Sequence, residues 1–300
     1  MTPTNTVRLC NLCRTSRAAP KVAHTAASTI AAACLTALGL ASSLAHAQDT
    51  AKLPLWEVGA FAAGLSQQAY PGASQQIDRA LALPFFIYRG KYFRADQGNV
   101  GLRAVKTDAM ELDIGFGGAF GANSNDIDAR KGMSDLGTLV EFGPRVKWNL
   151  GAAPGNGRLR AEIALRGVFD VTDRFRDKGL ALEPELTYER RAARGWSYST
   201  TVGLVFGDRR LADTFYGVAP SDATANRAVY TAQGGLIASR LSATVSHTLS
   251  PDLRVFGFAR LASVEGAANV ASPLVRQNTG TTVGVGLTYI IARSSRSSGD

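Results

Sequence analysis

Two groups of residues have the chemistry to do more than hold a fold. The first is a set of charges at alternating positions: Glu141, Arg145 and Lys147; Arg158, Arg160, Glu162 and Arg166; Glu183, Glu185, Glu189 and Arg191. Acids and bases at this density either neutralise one another or line a polar conduit for a small solute. Unpaired charges in a confined space are costly, so an ionic lattice is the first expectation. The second group is a polar loop in which Asn123, Asn125, Asp126, Asp128 and Asp135 supply oxygen ligands. Calcium would suit such oxygens, but an EF-hand needs Gly at its sixth position and Glu at its twelfth, and neither is present. Asp and Asn that shape turns are the plainer reading. His247 lacks a Ser and an acid in a triad arrangement, and Ser246 falls on the opposite face of its strand. No Gly-x-Ser-x-Gly occurs. No catalytic, cofactor or metal site is therefore expected.

The elements that position these charges are strands. From Val140 to Leu150, Val140, Phe142, Val146, Trp148 and Leu150 share one face, and Glu141, Gly143, Arg145, Lys147 and Asn149 share the other. Period two is the signature of a β-strand. The pattern recurs at 110–120, 158–170, 180–191, 196–206 and 281–291. Further strands are expected at 56–65, 81–88, 230–237, 241–249 and 253–261, and residues 92–105 read as one broken strand or two short ones. The count is about twelve, with ten as the alternative, and there is no convincing amphipathic helix. Many strands run to ten residues or more, beyond the usual five or six of soluble sheets. They match the roughly 9–11 residues of a tilted membrane-crossing strand. Trp148, Trp196, Tyr188 and Tyr289 sit near strand ends, as interface girdles do. The expected fold is an all-β, closed antiparallel transmembrane barrel, closed because an open edge in lipid leaves backbone groups unpaired.

Residues 1–47 read as a cleaved secretory signal peptide. Arg8, Arg14, Arg17 and Lys21 precede an apolar run, and Ala45-His46-Ala47 is a small-x-small cleavage site. All three cysteines (Cys10, Cys13 and Cys34) lie in this segment, so Cys10-x-x-Cys13 has no partner pair. Removing the four leader bases from the 33 Lys and Arg leaves 29 against 24 Asp and Glu. That modest excess, interleaved with acids, does not call for nucleic acid. The barrel is expected over 48–291, with a polar tail at 292–300.

Several stretches resemble the MipA/OmpV family of outer-membrane proteins, also called MltA-interacting proteins. They are Leu83-Pro84-Phe85 with Tyr88-Arg89-Gly90 and Phe93-Arg94-Ala95-Asp96; Asp126 to Met133 with Asp135-Leu136; Glu141-Phe142-Gly143-Pro144; Phe215-Tyr216-Gly217-Val218; and Ser272-Pro273-Leu274-Val275. The resemblance implies a barrel in outer-membrane lipid. It also implies a scaffold linking a murein lytic transglycosylase to a peptidoglycan synthase; a small-solute channel or a surface adhesin or antigen is the alternative. Under the scaffold reading, Asp126, Asp128, Arg130, Lys131, Met133 and Asp135 are the docking-loop contacts, with Phe215 and Tyr216 beside them. Counting four strands before the 121–138 loop and eight before the 208–229 loop places both loops at the same end as the termini, on the periplasmic side. The family usually ends on an aromatic residue; here that position is Ile291, with Tyr289 as the substitute.

Overall fold

The computed structural model describes residues 54–296, apart from 90–92, 97–98, 108 and 193–194. The expected leader and the end of the tail lie outside the described residues. The strands are β1 (Trp56–Gln68), β2 (Gln76–Arg89), β3 (Phe93–Asp96), β4 (Asn99–Lys106), β5 (Met110–Ala119), β6 (Leu139–Ala153), β7 (Gly157–Asp170), β8 (Arg176–Arg190), β9 (Gly195–Gly207), β10 (Gly235–Thr248), β11 (Leu253–Ser263) and β12 (Thr279–Arg293). Each pairs antiparallel with its sequence neighbour, and β12 returns to β1 to close the barrel. No helix among the described residues is long and apolar enough to cross a membrane, which has no bearing on crossing by strands.

The alternation fixes which face is which. Phe142, Ile163, Leu165, Leu182, Val202, Val245 and Val285 are between 40 and 69% exposed on the outer face. A soluble protein would bury these side chains, whereas lipid accepts them. Phe116, Phe142 and Phe169 stack in series across β5, β6 and β7, with ring centroids 6.2 and 5.0 Å apart. Trp196 on β9 lies 4.6 Å from the His247 ring on β10. Paired residues share a face, so Ser246, opposite Phe256, points inward and cannot meet His247.

The strand count agrees with expectation, but two boundaries differ. Residues 93–106 form two short strands, one of the two readings of that stretch, whereas the count before the 121–138 loop takes them as one. Residues 235–248 form one strand, where two were expected at 230–237 and 241–249. The register shift between Leu236 and Ala238 breaks the alternation that marks a single strand. The errors cancel in the total and not in the parity. Five strands precede the 121–138 loop and nine precede the 208–234 loop, so both loops lie at the end opposite the termini. The tight connections, among them Pro154-Gly155-Asn156 and Leu249 to Asp252, share the terminal end. Gly155 and Asn156 take positive φ of 70° and 59° there, as a tight hairpin turn demands.

A helix, α1 (Arg209–Tyr216), also stands where none was expected. Asp208 caps it, its carboxylate accepting from Leu211 N at 2.9 Å. Leu211, Ala212 and Tyr216 are buried and lie along the face turned to the barrel wall. Eight residues are marginal as a free helix, so this packing supplies the stability.

Candidate functional site

The inward charges form two bonded groups. In the first, register places Arg145 of β6 directly opposite Asp113 of β5. Arg145 Nε donates to Asp113 Oδ1 at 2.9 Å and Nη2 to Oδ2 at 2.8 Å, a bidentate fork. Lys147 Nζ donates to the same Oδ2 at 2.7 Å, and Glu162 approaches Arg145 at 3.5 Å. In the second, Arg166 Nη1 lies 2.5 Å from Glu183 and 3.3 Å from Glu141, while Arg240 reaches Glu183 at 3.4 Å. Nearer the terminal end, Glu189 pairs with Arg160 at 3.5 Å and Arg191 at 3.0 Å. Two glycines make room: a Cβ on Gly115 would lie 3.0 Å from Arg145 Nε, and one on Gly117 would lie 3.1 Å from Glu141. Among the described residues, Arg158 and Glu185 make no ion pair. Asp113 and Arg240 were missed as partners. Asp113 sat on a correctly read polar face but was not matched to Arg145, and Arg240 fell between two expected strands.

Away from the termini, the loops fold onto one another. Ile127, Ala129, Leu136, Tyr70, Val218 and Leu274 form one buried cluster, with Met133 and Phe215 packed against it. Tyr216 and Leu211 join inward residues of the barrel wall in another. Tyr70 donates to Leu274 O at 2.6 Å, and Ser272 Oγ donates to Tyr216 O at 2.8 Å. Buried Arg130 donates to Ser134 O at 3.3 Å and lies over the Tyr70 ring. Buried Arg227 donates to Asp222 O, Ala129 O and Lys131 O at 2.8–3.1 Å. The connections after β1, β5, β9 and β11 thus interlock as a cap at one mouth.

The cap changes what the sequence-predicted docking residues offer. Arg130 and Tyr216 are inside it, and Met133 and Phe215 are partly covered. Asp126, Asp128, Lys131 and Asp135 remain exposed. Lys131 Nζ donates to Asp128 at 2.6 Å, which lowers the Asp128 pKa and raises that of Lys131. Asp135 accepts from Ser124 N at 2.7 Å, a turn-shaping bond. Burial lowers the Arg130 pKa and raises that of Tyr216.

Elsewhere on the lumen wall, inward aromatic rings of β11 stand between Arg254 and Arg260. Phe61 of β1 stacks on Phe256 of β11 at 5.7 Å. Between them β12 carries glycines: a Cβ on Gly286 would meet the Phe256 ring at 2.5 Å, and one on Gly284 the Phe258 ring at 2.5 Å.

The family described as MltA-interacting protein MipA matches residues 58–291. No curated protein matches the chain. Among solved structures the chain is similar to the NanC porin, at 8% identity over 78% of this chain and 98% of that one, TM-score 0.34. It is likewise similar to the COG4313 outer membrane channel from Pseudomonas putida F1, at 10% identity over 83% and 100%, TM-score 0.35. A third is the translocator domain of the autotransporter NalP from Neisseria meningitidis, at 12% identity over 79% and 88%, TM-score 0.35. With the match running from β1 to β12, the chain belongs to the MltA-interacting protein family, MipA, and is an outer-membrane β-barrel protein.

Proposed function

We propose that the chain is a scaffold of the murein machinery, holding a lytic transglycosylase close to a peptidoglycan synthase from the outer membrane. The interaction with MltA that the family description names is the observation behind this reading. The cap supports it, because loops spent on one another and charges spent on ion pairs leave a poor through-channel. Short connections are periplasmic and long ones extracellular in barrels of this kind. The terminal end therefore faces murein, and Arg158, Arg190 and Arg296 are exposed along its rim, beside Arg191 and Arg293, which pair with Glu189 and Asp252. The murein-facing contact belongs to this rim, and the expected docking loop at 126–135 points outward. The test is capture of a purified lytic transglycosylase by the detergent-solubilised chain tagged within 292–300. Capture that survives a Gly/Ser replacement of 126–135 and falls in Arg190→Glu/Arg191→Glu supports the reading. Capture lost with the loop and indifferent to the rim sinks it.

A surface adhesin or antigen is the second reading. It is favoured by the outward position of Asp126, Asp128, Lys131 and Asp135 on the cap.

A further inference from the structure

Beside the cap, a cleft of about 530 Å³ lies between the 121–138 loop and the hairpin that joins β7 to β8. That size is within the range of small-ligand sites. The two walls are tied together at the base, where Val171 N donates to Thr138 O at 2.9 Å. Asp170, only 3% exposed, lies against Gly137, and a Cβ at that glycine would run into its carboxylate. Thr172 fixes the carboxylate through Oδ1, its N donating at 3.0 Å and its Oγ1 at 2.6 Å. The other oxygen, Oδ2, has only Lys178 Nζ, at 3.4 Å, which is long for a charge-assisted bond. A buried acceptor and an ammonium, each loosely held, therefore stand side by side in the cleft. Such a couple gains from a ligand group that both donates and accepts.

The charges around the cleft argue for what that ligand is. On the hairpin wall, Asp170 and Asp173 are matched by Lys178 and Arg176, the second pair at 2.9 Å. On the loop wall, the Arg79 guanidinium donates to Gly121 O at 2.9 Å, and Asp135 accepts from Ser124 N at 2.7 Å through Oδ1. Three cations and three carboxylates thus line the cleft, with both signs on each wall. An anion or a cation meets like charge on either side. A zwitterion needs opposite charges sorted to opposite walls, and they are not sorted. Adjacent hydroxyls on a ring have no such conflict, because each can donate to a carboxylate or accept from an ammonium or guanidinium. Phe120 supplies an apolar patch for the C–H face of the ring.

We propose that this cleft binds a neutral sugar of one or two rings, its hydroxyls bridging Asp170 and Lys178 on the hairpin wall and reaching Asp135 on the loop wall. The cleft shares the outward end with the cap, which admits either a free sugar or the end of a surface glycan. It has no residue in common with the terminal rim, so it is independent of the scaffold reading.

The test uses the full chain in a polyoxyethylene detergent, whose head carries no sugar. The probes are the methyl glycosides of glucose, galactose, mannose and N-acetylglucosamine, screened by saturation-transfer NMR and titrated by calorimetry. Saturable binding of at least one is expected, weakened at least about ten-fold in Lys178→Met and in Asp135→Asn, as loss of a hydrogen bond to a charged group implies. Lys178→Arg should largely retain it, and Asp128→Asn, outside the cleft, should leave it unchanged. Heat-modifiable gel mobility checks that each variant is folded; Asp135→Asn keeps an acceptor for Ser124 N and so serves if Lys178→Met does not fold. Tighter binding of the corresponding oligosaccharide than of the single ring assigns a glycan end, and equal or weaker binding assigns a free sugar; either supports the site. Absence of saturable binding by all four glycosides, unchanged affinity in either folded variant, or displacement of the glycoside by inorganic phosphate, spermidine or glycine betaine would overturn it.

Discussion

Asp113 and Arg145 illustrate how much a single register choice decides. A one-residue slip of β5 against β6 would turn Asp113 outward, into lipid, and leave Arg145 inside without its partner. Because the pair is buried, removing one partner leaves the other uncompensated. Arg145→Ala is expected to cost about 3–5 kcal/mol, and Asp113→Leu with Arg145→Met to cost much less. Urea unfolding followed by Trp fluorescence measures both. In the cap, burial pushes the Tyr70 phenol up to about 12, against the pull of Arg130 and Arg276, which favour the phenolate. The folded value lies above the unfolded one of about 10. The stability it contributes is therefore complete below about pH 10 and is lost as pH rises through about 12. Phenolate absorbance should show a late step near pH 12 that disappears in Tyr70→Phe.

At the scale of elements, the strands were legible and the cap was not. Alternation is a local property, so 110–120, 140–150 and 158–170 were read with the correct face inward. The bulge near Leu236 defeated it, because one extra residue inverts the pattern and mimics a turn. Helix α1 was hidden for another reason: its stability comes from contact with the barrel wall, which no eight-residue window contains. Arg130 and Tyr216 looked like exposed contacts for the same reason, since their burial depends on loops far away in sequence. Leu211→Ala, at the buried face of α1, should destabilise by about 2–5 kcal/mol. Arg227→Ala removes donors to the backbone at 129 and 131. It should expose 121–138 to limited proteolysis while the barrel stays heat-modifiable.

For the whole molecule, the twelve-strand ring and the outer-membrane setting were both legible, the first from periodicity and the second from motifs spread along the chain. Sidedness was not, because it turns on odd or even counting through 93–106, where strands of four and eight residues carry little pattern. The capped mouth and paired lumen predict small single-channel currents in planar bilayers, rising when residues 209–233 are shortened to a Gly/Ser linker.

The arrangement of the barrel in the membrane is tested most directly by single cysteines at its two ends. The expected mature chain has no native cysteine, so Gly132→Cys and Asn156→Cys can each be labelled with a membrane-impermeant maleimide. This arrangement predicts that Gly132→Cys is labelled on intact cells and Asn156→Cys only after the outer membrane is permeabilised. Labelling in the reverse order would put the cap in the periplasm and contradict it.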